Sequence, residues 1–139
     1  MTTDEEQKIR AGLGAWSNGD LEGALENMAP EIEFHSSGLF PGVESVYRGH
    51  EGFRRFWRDF RETWERISFE IDHLIEGDPH QYAVVGRFEA LGRNGIPVGR
   101  RIGMMFRLAN GDLVRIESHA TWDGALESAG VAPAGRPEP

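Results

Sequence analysis

The stretch that decides the fold runs from Gln81 to Trp122 and reads QYAVVGRFEALGRNGIPVGRRIGMMFRLANGDLVRIESHATW. Asn94-Gly95 and Asn110-Gly111 divide it into runs in which apolar and polar residues alternate. Such dipeptides favour β-hairpins, because both residues tolerate positive φ angles. With a third turn signal at Gly77-Asp-Pro79, the pattern predicts an antiparallel meander of four strands, near residues 67–76, 81–93, 96–109 and 112–122.

These predicted strands are longer than usual and contain glycines at positions 86, 92, 99 and 103. Glycine inside a strand often marks a bulge or a bend. The sequence therefore predicts a strongly curved sheet with a hollow on its concave side.

Helical patterns precede the sheet. Thr3 and Glu6 have capping-box spacing, which predicts a helix over residues 4–17. Asp20 begins a second, short helix that Pro30 ends, a short strand follows at Glu31–His35, and Ser36–Tyr47 is predicted as a loop. From Gly49 onward, one helix face carries an aromatic stripe of Phe53, Phe56, Trp57, Phe60 and Trp64.

The chain ends with a short helix that Asp123 begins and Gly130 stops, and then with a proline-rich tail. The predicted fold class is α+β: a cone-shaped half-barrel in which a curved antiparallel sheet packs on about three helices and encloses a pocket. We expect one domain over residues 1–131 and a flexible tail over residues 132–139.

The composition of the chain disfavours several classes of partner and cofactor. The chain has 139 residues and a net charge of −8, which disfavours nucleic acid and anionic membranes as partners. The acidic N-terminus lacks a signal-peptide pattern, and no run approaches the roughly eighteen apolar residues of a membrane span, so a cytoplasmic protein is predicted. Cysteine is absent and the five histidines lack paired spacing, so we expect no metal and no cofactor.

A polar cluster emerges if both Asn-Gly pairs form two-residue hairpin loops. The residue numbers of directly opposed residues then add up to 189 across the first hairpin and to 221 across the second. This register places Arg87, Ile102 and His119 in one row. Glu89, Arg100 and Thr121 form the neighbouring row on the same face. A carboxylate held by arginines beside a histidine can move protons, so Arg87, Glu89 and His119 are the catalytic candidates. The alternative is a set of cross-strand ion pairs on a solvated face.

A second group of residues is suited to a ligand pocket. The aromatic residues are numerous for a chain of this length, which favours a cavity among them, although each one could be plain core. His35 and Tyr47 flank the predicted loop and could each direct a polar group inward. The pocket candidates are Trp16, Phe34, His35, Tyr47, Phe53, Phe56, Trp57, Met104 and Thr121.

Four segments in this order resemble the SnoaL-like branch of the nuclear transport factor 2-like superfamily: Gly19-Asp20-Leu21, Ile32–His35, Tyr47–Phe53 and Ala125-Leu126-Glu127. Relatives there include ketosteroid isomerase, limonene epoxide hydrolase and polyketide cyclases. The resemblance implies a pocket between sheet and helices and a homodimer formed through the convex face of the sheet.

Within that superfamily, Arg87-Phe-Glu89 resembles the Arg-x-Asp pair of limonene epoxide hydrolase, which implies that this face lines the pocket. Thr121 stands where that enzyme has a second aspartate, and a threonine cannot activate water as a carboxylate does. Two hypotheses follow. One is a cofactor-independent isomerase, cyclase or hydrolase that acts on an apolar small molecule, and the other is a non-catalytic binding or accessory dimeric domain.

Overall fold

The computed structural model describes residues 3–37, 39–40 and 42–138. Two helices open the chain, α1 (Asp4–Ser17) and α2 (Leu21–Leu25), and strands β1 (Met28–His35) and β2 (Val46–Arg48) follow. The longest helix is α3 (Gly49–Thr63). Then come β3 (Trp64–Glu76), β4 (Gln81–Gly92), β5 (Pro97–Ala109), β6 (Asp112–His119), α4 (Trp122–Ala129) and a 3₁₀ turn, Pro133–Gly135.

One curved, open sheet contains all six strands in the order β2-β1-β6-β5-β4-β3. Its pairs are antiparallel except β1 with β6, which run parallel. The predicted α+β class and the curved sheet on three main helices are therefore confirmed.

The helix caps follow the sequence signals. The Thr3 side chain accepts a hydrogen bond from the Glu6 amide at 3.1 Å, and Asp20 accepts one from the Gly23 amide at 3.0 Å. The sequence predicts that Pro30 ends α2, but in the structure Pro30 lies inside β1. The pairing of β1 with β6 is irregular between Met28 and Glu33, and this irregularity accommodates a residue that has no amide hydrogen.

The two faces of the sheet bury different helices. The core face packs against α1, α2 and α3, and from β4 and β5 it presents Tyr82, Val84, Phe88, Ile102, Met104 and Phe106. The outer face packs against α4 through Ala83, Val85 and Met105, which form a separate cluster with Trp122, Ala125, Leu126, Ala129 and Val131. The chain thus has two apolar layers, one on each side of the sheet.

The first hairpin register differs from the prediction by one residue. Gly92 donates to the Ile96 carbonyl, so the β4–β5 loop holds three residues, and Gly95 alone adopts a left-handed φ of 85°. Arg87 consequently pairs with Arg101 rather than Ile102. Because a one-residue slip exchanges the faces of a strand, Ile102 and Arg100 lie on the face opposite to Arg87 and Glu89.

The second hairpin has the predicted two-residue loop, Asn110-Gly111, with both residues at positive φ. A bulge between Arg107 and Leu108 then shifts the pairing, so His119 lies opposite Gly103.

Some predictions concern residues outside the described ranges, and others stay predictions. Gly38 and Pro41 of the predicted loop are outside them, as are Met1, Thr2 and Pro139. The domain boundary at residue 131 and the flexibility of the tail stay predictions. Among the described residues, no helix is long and apolar enough to cross a membrane.

Candidate ligand-binding cavity

A cavity lies between the core face of the sheet and the helices. Its volume is about 40 Å³, roughly three times the 10–15 Å³ that one water molecule needs. Apart from one hydroxyl and the indole of Trp16, its lining is aromatic, aliphatic or thioether. The lining residues are Gly12, Leu13, Trp16, Ala24, Met28, Phe34, Phe40, Phe53, Phe56, Ile102, Met104, Phe106, Leu113, Ile116 and Ser118.

Helix α3 supplies the aromatic wall of the cavity because its stripe faces the sheet. Phe56 stacks on Phe34 of β1 with ring centroids 4.2 Å apart, and Phe53 meets the same ring edge-on at 6.1 Å. Such arrangements stabilise aromatic pairs beyond simple burial, so these contacts hold the rings of the wall against one another.

Phe40 closes one side of the cavity from the loop between β1 and β2. Its ring lies 5.0 Å from Phe60 and 5.3 Å from Phe88. The base of the loop is held by Ser36, whose amide donates to the Ser45 carbonyl at 2.9 Å and whose hydroxyl donates to the Glu44 carbonyl at 2.6 Å. This loop therefore seats an aromatic side chain against the cavity.

Gly12 is the position of α1 at which the cavity wall has no side chain. A Cβ atom at Gly12 would meet nothing within 4 Å, although Leu13 and Trp16 beside it are buried. The missing side chain leaves space next to the cavity.

Ser118 supplies the one hydroxyl of the described lining. It is 1% exposed, and its Oγ has no hydrogen-bond partner among the described residues. The alternation of β6 directs Ser118 inward together with Ile116, whereas Glu117 and His119 lie on the outer face.

The predicted pocket residues divide into two groups. Five of them line the cavity: Trp16, Phe34, Phe53, Phe56 and Met104. The other four, His35, Tyr47, Trp57 and Thr121, are not part of its lining. That the first five bind a ligand stays a prediction.

Each of the four outside the cavity has another environment. His35 contacts Glu33 at 2.9 Å on the outer face, and Trp57 is only partly buried. Tyr47 is buried, donates to Asp59 and accepts from the Glu44 amide, both at 2.8 Å; burial, with Asp59 beside it, raises its pKa to about 12. Thr121 caps α4 by accepting from the Gly124 amide at 3.0 Å. The polar groups of His35, Tyr47 and Thr121 therefore make structural contacts outside the cavity.

The three catalytic candidates lie on the outer face, away from the cavity. Arg87 and Glu89 form an ion pair at 2.9 Å, with 47% and 57% of their side chains exposed. His119 contacts Glu117 at 2.9 Å. The expectation that this row lines the pocket is wrong, because α1–α3 pack on the opposite face of the sheet, which presents Val84, Phe88 and Met104.

The outer face carries a more buried network around Glu117. Its carboxylate accepts from Arg115 and Ser128, both at 2.6 Å, and contacts His119. Burial alone would raise the pKa of Glu117, but these hydrogen bonds outweigh it and lower the pKa to about 2. Glu117 therefore stays ionised and ties β6 to α4.

The described lining holds no carboxylate, imidazole, amine or guanidinium. Within the described ranges, no three His, Cys, Asp or Glu residues converge as a metal site would require. What the arrangement can do chemically is exclude water around an apolar molecule and offer it one hydroxyl.

Sequence reasoning did not include the other ten lining residues among the pocket candidates. They are Gly12, Leu13, Ala24, Met28, Phe40, Ile102, Phe106, Leu113, Ile116 and Ser118. For Ser118 a signal was present, since it lies two residues beyond Ile116 on the same strand. For Phe40 and Gly12 no local pattern indicates that they line one cavity, because one lies in a loop and the other in α1.

A curved sheet and helices around an apolar cavity define the nuclear transport factor 2-like (NTF2-like) class of folds, and solved structures agree. An NTF2-like protein of unknown function from Burkholderia pseudomallei is 23% identical, with a TM-score of 0.79 over 91% of this chain and 97% of that one. TerC, co-crystallised with polyporic acid, is 19% identical with a TM-score of 0.78, covering 90% of this chain and 99% of its own.

A protein with a ketosteroid isomerase-like fold from Catenulispora acidiphila, in complex with trimethylamine, is 10% identical with a TM-score of 0.72, covering 94% and 98%. The family model of the SnoaL-like domain matches residues 9–116. The chain belongs to the SnoaL-like domain family. No curated protein matches this chain significantly.

Proposed function

We propose that this chain binds a small, largely apolar molecule in the cavity between the core face and helices α1 and α3. The observation that carries the proposal is the cavity itself, which aromatic and aliphatic side chains line almost completely. Ligand sites are typically such apolar hollows with few polar groups. The SnoaL-like fold commonly binds small molecules, which adds support.

The size of the cavity sets the scale of the first ligand to test. Apolar cavities of about 150 Å³ lined by Leu, Ile and Phe side chains bind benzene. At about 40 Å³ this cavity is smaller, so a single ring is the largest probe to test, and the wall must yield to admit it. Toluene is a suitable probe because it offers no hydrogen bond and therefore measures only the apolar cavity. A larger ligand would require Phe40 and its loop to move.

Filling the cavity from α1 provides the test. Gly12→Leu places an isobutyl group in the open space beside the cavity, so we expect it to abolish toluene binding. Gly14→Leu is the matched control, because Gly14 is exposed on the same helix and its added Cβ also meets nothing within 4 Å.

Both substitutions remove a glycine from a helix interior and should favour the helix by up to about 1 kcal/mol. Calorimetric titration of toluene into wild type and both variants measures the effect. Equal binding by all three would overturn the proposal, as would no binding to wild type.

Non-catalytic binding, one of the two hypotheses from sequence, is the function that the geometry supports best. Acid/base roles for Arg87, Glu89 and His119 stay untested predictions. The cavity gives these roles no support, because the three residues lie on the outer face and the cavity lies on the core face. A pocket on the exposed outer face would be needed for them to meet an apolar substrate.

The predicted homodimer also stays a prediction. The resemblance implied a contact through the convex face of the sheet, whereas on the outer face α4 of the same chain already covers Ala83, Val85 and Met105. Light scattering at high micromolar concentration should give twice the 15.6 kDa of one chain if the dimer forms. The single-chain mass at that concentration would rule it out.

A further inference from the structure

The two buried polar residues of the described chain differ in how their hydroxyls are satisfied. Ser36 and Ser118 are 0% and 1% exposed. The Ser36 hydroxyl donates to the Glu44 carbonyl, whereas Ser118 Oγ has no partner among the residues that the structure describes. A buried polar atom without a partner destabilises the folded state. Such an atom needs an explanation, and in Ser118 it lies in the cavity wall.

Trp64 Nε1 is the other unpartnered buried side-chain atom of the described residues, but Trp64 is not among the residues that line the cavity. It can only donate and is packed between Phe60 and Phe88, with ring centroids 6.3 and 5.8 Å away. Ser118 is therefore the orphan group that a molecule in the cavity could reach.

The surroundings of Ser118 restrict what that molecule can be. Its cross-strand neighbour Met104 lines the cavity, as do Ile116 and Phe106. A charged ligand would lose its hydration without gaining a counter-charge from this lining. A hydroxyl can donate one hydrogen bond and accept two, so it matches a neutral oxygen.

Resting on the binding function proposed above, we infer that Ser118 is a specificity-determining residue that hydrogen-bonds the oxygen of an uncharged ring alcohol or ketone. The ring of the ligand occupies the Phe34, Phe53 and Phe56 wall, and its oxygen is directed toward β6. The site selects neutral oxygen-bearing rings over bare hydrocarbons and over carboxylates.

Phenol and toluene form a matched pair of probes, because they have nearly the same shape and differ in a hydroxyl. Titrations of wild type and Ser118→Ala with both probes measure the contribution of the hydroxyl. We expect Ser118→Ala to weaken phenol binding roughly two- to tenfold and to leave toluene binding unchanged or slightly tighter. Ser68→Ala, at an exposed position of β3 outside the cavity lining, is the control, and it should leave both affinities unchanged. Benzoate at pH 7 should not bind detectably.

The outcomes separate the inference from the proposed function. If toluene binds but Ser118→Ala leaves the phenol-to-toluene ratio unchanged, the role of Ser118 is wrong and apolar binding stands. The same holds if benzoate binds more tightly than phenol. If neither toluene nor phenol binds to wild type, the proposed function fails and the inference fails with it.

Discussion

At the scale of single residues, the two buried serines give a test of folding energetics without any ligand. The Ser118 hydroxyl is buried and has no partner in the described part of the chain, whereas that of Ser36 donates at 2.6 Å to the Glu44 carbonyl. We expect Ser118→Ala to raise the free energy of unfolding by about 1 kcal/mol, because it removes an unsatisfied group, and Ser36→Ala to lower it by a similar amount.

Urea unfolding of both variants measures this difference. Both variants replace a serine by alanine, so opposite signs of the change in the free energy of unfolding would reflect only the surroundings of the two hydroxyls. A loss of stability in Ser118→Ala as large as that in Ser36→Ala would mean that the Ser118 hydroxyl has a partner in the folded protein.

At the scale of elements, the packing of α4 on β5 depends on a missing side chain. A Cβ atom at Gly103 would lie 2.5 Å from the Cβ of Ala125 and 3.2 Å from the Thr121 carbonyl oxygen. We expect Gly103→Ala to lower the free energy of unfolding by about 1–3 kcal/mol, because α4 would have to move away from the sheet.

Gly99→Ala, on the same strand, is the matched control for that change. Its Cβ would first meet the guanidinium end of Arg87, at 2.6 Å from Nη2, which is exposed and can move aside. Alanine also restricts the unfolded chain more than glycine does, so a change within about 0.5 kcal/mol is expected. Thermal unfolding followed by circular dichroism compares the two, and equal losses would argue against the close packing of α4.

At the scale of the whole molecule, the network around Glu117 couples stability to pH. The pKa of Glu117 is about 2 in the folded chain against an ordinary 4.5, so below about pH 5 the unfolded chain binds more protons. This contribution to stability is complete above pH 5 and is lost as the pH falls toward 2. We expect it to be on the order of 2–3 kcal/mol.

Glu117→Gln should therefore be less stable than wild type at pH 7, and the difference should shrink as the pH falls from 5 toward 2. Glu127→Gln removes the same charge from an exposed position of α4 and serves as the control. Urea unfolding at several pH values measures both, and a gap between Glu117→Gln and wild type that does not change with pH would contradict the assignment.

The sequence alone determined the order of most elements in this molecule, because those signals are local. Thr3, Asp20, Asn110-Gly111 and the aromatic stripe of α3 each act within a few residues, and their periodicity or capping chemistry can be read directly from the chain. The resemblance to SnoaL-like proteins led to the same fold.

Only the tertiary structure decided which side chains meet in the cavity. A three-residue loop at Gly95, rather than two residues, moved Arg100 and Ile102 to the face opposite Arg87. The bulge at Arg107 then set the pairing of His119. Loop length and bulges depend on how the completed sheet twists and packs, so no local pattern specifies them. Because side chains alternate along a strand, a register difference of one residue decides whether they face α1–α3 and the cavity or the outer surface.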